Sequence, residues 1–401
     1  MRNLLLLPLF LIAAPGFAAQ EHDHKAMMAA APAAACAKAE LACADKATPF
    51  FAGNTLWLAW SANGRVGLQK SEDLGRSFGP VTFINTAAER IDAGADSRPQ
   101  VAVDGKGHAV VAYTIAKGAD FAGQVLVARG DAKGFAAPKP LTDSTVSQRF
   151  ISFALDPSGS IFAAWIDKRN LAAAQKTGRD YDGAALAYAW AEDGKDFTVA
   201  RIAQDNTCEC CRIGVGFAGP HKPVVMWRNM FAGGVRDHAI MTFSERGPGM
   251  VRRVAVDNWK IDACPHQGPS LAVSANGTYH ATWFTDGRAR QGLFYARSKD
   301  AGQTFSPPVA IGNNDRQPTR PFALAAQGLV WLAWKEFDGE VAVVNVMQSR
   351  DDGMTWSAVR AIAQTTDASD HPLLIANGEH VYLSWLTHKE GYRLIALGDT
   401  P

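Results

Sequence analysis

The 401-residue sequence has no surplus of charge: 40 Lys and Arg stand against 39 Asp and Glu, a formal net charge of +1. Nucleic-acid binding needs clustered positive charge, so that class of partner is excluded. Past the N-terminal segment no run approaches the roughly 18 apolar residues of a membrane helix, which argues against a membrane span. Cysteine is also scarce, six in all, yet three of the six fall within Cys208–Cys211.

The chain begins MRNLLLLPLFLIAAPGFAA, one arginine and an apolar run from Leu4 to Ala14 followed by small residues. This pattern predicts a cleavable export signal over residues 1–18 and a periplasmic or secreted protein. In that oxidising space thiols pair or hold metal. Residues 19–40 are Ala-rich and aperiodic, a flexible leader that carries His22, His24, Met27 and Met28, ligand types that suit copper. Residues 41–401 are expected to form a single domain.

Repetition is the dominant signal in that domain. Apolar stretches end in an aromatic at Trp60, Tyr113, Trp165, Trp227, Trp283, Trp334 and Trp385, spaced 51 to 62 residues apart. Each is preceded by a second apolar stretch across a turn, as in RPQVAVDGKGHAVVAY and GPSLAVSANGTYHATW, where Asp-Gly and Asn-Gly suit a hairpin. Strand-rich repeats of this length predict an all-β propeller of four-stranded blades, seven favoured and six possible. The final unit stops after YRLIAL, so a fourth strand is expected from the segment near Cys36 to Cys43. The seven aromatics recur in every unit and are read as packing between blades.

A second motif follows the third strand in four of the units, KSEDLGRSF, WAEDGKDF, RSKDAGQTF and QSRDDGMTW, with GDAKGF and SERGPGM as degenerate versions. These resemble the Asp-box, S-x-D-x-G-x-T-[FW], of sialidase-like β-propellers, in which the carboxylate caps turn amides and the glycine permits the geometry. The resemblance covers nearly the whole of residues 41–401. It implies an architecture rather than an activity.

Alternating strand direction puts the Asp-boxes on one face and the loops leading into each first strand on the other, around the axial mouth. Those loops carry Cys43, Cys208, Cys210, Cys211 and Cys264, with His266 beside the last. Three readings stay open. The six cysteines form three disulfides. Alternatively, Cys208, Cys210, Cys211, Cys264 and His266 hold a soft metal, copper first and zinc second, with Cys43 a possible addition. A reactive thiol activated by Arg212 or His266 is the third. Met230 and His238, in the blade-four hairpin, add sulfur and imidazole to the same face.

The mouth loops also carry Arg98, Arg149, Arg212 and Arg320, whose converging guanidinium groups suit a carboxylate, sulfate or phosphate. Resemblance to sialidases implies arginines gripping a substrate carboxylate, with Tyr181 as nucleophile, Glu336 as its partner and Asp167 as acid/base. The F-R-I-P motif of that family is absent; CRIG and QRFI are similar only in position. Function therefore divides between an exported copper-handling propeller, an exo-sialidase-type glycoside hydrolase binding a small anionic ligand or glycan, and a scaffold without chemistry.

Overall fold

The computed structural model describes residues 36, 38–94, 96–118, 122–156, 158–192 and 194–398. The expected export signal and nearly all of the His/Met leader lie outside them. Seven antiparallel meanders follow one another over residues 46–83, 100–140, 148–207, 214–253, 270–311, 319–365 and 373–397. A single pairing, Thr207 with Asn229, joins the third and fourth into one nine-stranded sheet. No helix among the described residues is long and apolar enough to cross a membrane.

The second strand of each meander is apolar on both faces because both faces are covered. Ile161–Asp167 and Val381–Thr387 are buried at every position. Each strand-end aromatic reaches the preceding sheet. Tyr113 packs with Trp57 and Ala59, Trp165 with Ala112 and Val125, and Trp227 with Phe162 and Leu186. Trp283 packs with Met226, Trp334 with Leu293, and Trp385 with Ala333. Trp60 meets Leu386 of the last sheet, and Phe51 lies 5.6 Å from Tyr382, so the first and last sheets touch. All seven aromatics are at most 1% exposed, and truncating one such side chain to alanine costs about 3 to 5 kcal/mol.

The Asp-box turns behave as the pattern requires. Asp73, Asp300 and Asp351 each accept from a hydroxyl two residues before and from the backbone N–H and hydroxyl four residues after. Gly75, Gly302 and Gly353 hold φ near 80°, a left-handed conformation that only glycine adopts freely. The Asp352 carboxylate accepts from Ser274, Asn276 and Thr278 in the first hairpin of the neighbouring sheet. Asp-boxes and first hairpins therefore share a face.

The expected fourth strand of the last unit is corrected. That sheet has three strands, Leu373–Ala376, Val381–Thr387 and Gly391–Leu397. The segment Leu41–Cys43 forms a 3-10 turn whose Leu41 and Cys43 pack near Trp60, Leu386 and Tyr392 instead of pairing as a strand.

Candidate functional site

The Cys208–Cys211 turn joins the outer strand of the third sheet, Arg201–Thr207, to the inner strand of the fourth, Gly214–Phe217. Cys208 N–H donates to the Arg228 carbonyl at 2.9 Å, tying the turn to the centre of the fourth sheet. The three cysteines are 1–2% exposed and sit among Phe150, Ile213 and Trp227. Cys208 Sγ lies 3.5 Å from Cys210 Sγ and 3.9 Å from Cys211 Sγ, and all three sulfurs fall within 4.8 Å of one another. A disulfide holds sulfurs about 2.05 Å apart, so these are unbonded thiols. Thiolates about 2.3 Å from one tetrahedral ion would stand about 3.8 Å apart, close to the spacing seen.

The remaining predicted ligands approach the trio unequally. Cys264 is exposed and lies outside the group of three sulfurs, its thiol interacting with that of Cys210. His266, at φ 46°, packs 6.4 Å from Phe150, with Nδ1 buried and unpartnered, and it lies outside the sulfur group. Burial lowers its pKa, keeping the ring neutral. Cys43 is taken up elsewhere: it pairs with Cys36, their Cα atoms 5.4 Å apart. His238 is 1% exposed with both ring nitrogens unpartnered, 6.4 Å from Trp283; burial, then Arg228 and Arg212, hold its pKa well below the usual histidine range. The Met230 sulfur points at Gly183.

Two arginines that the sequence reading passed over complete the environment. Arg236 donates to the Ala263 carbonyl at 2.8 Å and reaches Cys208 Sγ at 4.0 Å. Arg228, 1% exposed, lies 4.4 Å over the Trp259 ring and donates to the carbonyls of Arg236, Gln267 and Phe284. Among the described residues no carboxylate pairs with it. A buried cation without an anion is costly, and the nearby sulfurs are the available charge. The thiols of Cys210 and Cys211, with Arg228 and Arg236, hold the Cys208 pKa well below the thiol range, whereas burial pushes Cys211 up. The thiols of Cys208 and Cys211 push Cys210 up as well, so Cys208 is the one thiol of the turn held toward the thiolate. The signal was present in sequence as two arginines in RNMFAGGVRDH, on facing strands of one hairpin.

Each of the four arginines predicted to bind an anion meets a carboxylate of the protein itself. Arg98 donates to Asp370 at 2.8 Å, and Arg149 to Asp92 at 2.7 Å. Arg212 and Arg320 both donate to Asp96, at 3.2 and 2.7 Å. Asp96 also accepts from the backbone N–H of Arg212 and of Gly268. Gly268 is required there, because a Cβ would fall 2.3 Å from the Arg212 side chain.

The predicted hydrolytic residues occupy different positions. Tyr181 donates to Asp205, at 2.5 Å, and burial, then this hydrogen bond, raise its pKa above the usual tyrosine value. Glu336, in the sixth sheet, accepts from Trp334 Nε1 at 2.8 Å and from Asn313 N–H. Asp167 accepts from Trp165 Nε1 at 3.1 Å and pairs with Arg169, at the start of a helix spanning Arg169–Lys176. Trp227 makes the same contact with Asn229, at 3.2 Å. A carboxylate or amide two residues after the aromatic is thus a recurring partner for the buried indole N–H. A cavity of about 430 Å³, lined by Asp104, His108, Arg129 and Glu192, opens on the opposite, Asp-box face.

No family model and no curated protein matches the sequence. Among solved structures, a lectin from Burkholderia pseudomallei is 11% identical, covering 88% of this chain and 98% of its own, with a TM-score of 0.58. An ulvan lyase of a polysaccharide lyase family is 12% identical over 87% and 91%, TM-score 0.57. A Hadza microbial sialidase is 12% identical over 85% and 76%, TM-score 0.52. At such identities the likeness is one of fold, and the fold is an all-β, propeller-type one shared with carbohydrate-active proteins.

Proposed function

We propose that this chain is an exported, seven-bladed β-propeller that binds a soft metal ion, copper(I) first and zinc(II) second, through Cys208, Cys210, Cys211 and Cys264. The observation that carries the reading is the juxtaposition of three buried, unbonded thiols with Arg228, a buried guanidinium that has no carboxylate partner among the described residues. A trithiolate copper(I) centre or a tetrathiolate zinc(II) centre would carry a net negative charge that Arg228 and Arg236 offset. Thiolate donors suit both ions. The seven-bladed ring is supported by the apolar clusters joining each successive pair of sheets and by the contact of Trp60 with Leu386.

The test is direct. Protein exported to a periplasm and purified without chelator is expected to carry about one copper or zinc per chain by mass spectrometry, lost in Cys210→Ser/Cys211→Ser. Absence of metal together with absence of free thiols would mean disulfides and would end this reading.

A second reading, a glycan-acting protein, is favoured by the fold shared with the lyase, the sialidase and the lectin. It requires an anionic sugar to displace Asp96 or Asp370 from the mouth arginines. Turnover of a fluorogenic sialoside by the wild type would support it.

A further inference from the structure

The thiol cluster has one member at the surface. Cys208, Cys210 and Cys211 are 1–2% exposed and form the close sulfur group, whereas Cys264 stands outside that group, exposed at the start of a different loop, its thiol interacting with that of Cys210. Its neighbour Asp262 is exposed, and Ala263 is tethered through its carbonyl to Arg236, which in turn reaches Cys208. The buried trio is packed among Phe150, Ile213 and Trp227 whereas Cys264 is exposed, so an incoming ligand meets Cys264 before any other sulfur.

Resting on the metal reading above, we propose that Cys264 is the exchange ligand: copper(I) enters and leaves the cluster through it, while the three buried sulfurs retain the ion. The partner is a second soft donor, a thiolate or thioether of a copper-carrying protein or small molecule. The step is a ligand substitution. One bond from copper to Cys264 breaks as one bond to the incoming sulfur forms, copper stays copper(I), and the released Cys264 thiolate takes up a proton from solvent. No oxidant is required.

Such a gate follows from burial. Ligands enclosed by close-packed side chains cannot be approached without opening the fold, whereas a ligand on a surface loop exchanges without unfolding. Cys264 as a fourth structural anchor would have no need of exposure.

The experiment uses the full exported chain, reduced and loaded with copper(I), in three forms: wild type, Cys264→Ser, and Cys210→Ser/Cys211→Ser. Retained copper is measured after desalting, and transfer to excess bicinchoninate is followed by absorbance. The expected result is that Cys264→Ser keeps about one copper per chain but transfers it about tenfold more slowly, the scale on which one change at a metal site acts. Iodoacetamide should label Cys264 first in the metal-free wild type, with that label lost on copper loading. Loss of copper from Cys264→Ser, or transfer at the wild-type rate, would overturn the exchange role while leaving the metal site in place. Failure of the wild type to hold copper at all would instead remove the metal reading on which it rests.

Discussion

Asp96 and Arg320 meet at 2.7 Å across 224 residues of sequence, joining the loop before the second sheet to the first strand of the sixth, Thr319–Ala326. Arg212 shares the same carboxylate oxygen, so one aspartate ties three sheets together at the mouth. Its side chain is fully buried. Asp96→Ala leaves two guanidinium groups facing each other without their anion, and breaking a buried pair this way costs about 3 to 5 kcal/mol. The urea midpoint should fall with an unchanged slope. Sulfate should recover part of the loss in the variant and have little effect on the wild type. A variant as stable as the wild type would mean that the arginines do not depend on Asp96.

The Asp-box carboxylates set an acid limit on stability. Hydrogen bonds from hydroxyl and backbone groups lower Asp73 and Asp300 from 3.8 to about 2, and Asp351 is lowered by the same contacts. A depressed folded-state pKa means that the unfolded chain binds protons first as pH falls. The stabilisation is therefore complete above pH about 4 and is lost as pH falls through about 2. Replacing all three with Asn should lower the midpoint at pH 6 and flatten its decline between pH 4 and 2. Parallel pH profiles for variant and wild type would assign the acid sensitivity to other carboxylates.

Much of this architecture was legible because a propeller writes each blade in the same local code. The aromatic at each strand end and the Ser-x-Asp-x-Gly turn are set by neighbours a few residues away, and both appear in the structure as the pattern predicts. Asp96 with Arg320 and Asp370 with Arg98 were not legible. Their partners are 224 and 272 residues apart and brought together by the fold rather than by any local spacing. The pattern predicts Tyr181, Glu336 and Asp167 on turns, but Asp167 ends the strand Ile161–Asp167 and Glu336 lies in the strand Leu329–Phe337, leaving only Tyr181 outside a strand. Their actual partners, Asp205, Trp334 and Trp165, could be inferred only for the two that follow an aromatic by two residues. The last sheet ends at three strands because Leu41–Cys43 packs as a turn, a choice made by tertiary contacts with Leu386 and Tyr392.

Cys36 and Cys43 are expected to be independent of the metal. They pair with each other at a separation of seven residues, away from the buried trio. Replacing both with Ser should leave the copper stoichiometry unchanged and lower stability by about 2 kcal/mol, the scale for closing a short loop. Loss of copper in that variant would place Cys43 in the site after all and require the N-terminal segment to rearrange.

Arg228 provides the sharpest test of charge balance. Among the described residues its guanidinium bonds to carbonyls and lies over the Trp259 ring with no carboxylate paired to it, so the sulfur cluster is the nearby group able to carry an opposing charge. With a protein-like effective dielectric, a charge interaction over several ångströms is worth about 2 kcal/mol, or about thirtyfold in affinity. Arg228→Met should therefore weaken copper(I) binding by about that factor in competition with bicinchoninate. Arg228→Lys, which keeps the charge but loses the forked geometry, should retain most of the affinity while reducing thermal stability. If Met and Lys weaken binding equally, the residue acts by shaping the Gln267 and Phe284 backbone. The charge on the cluster would then have to be offset by Arg236 alone.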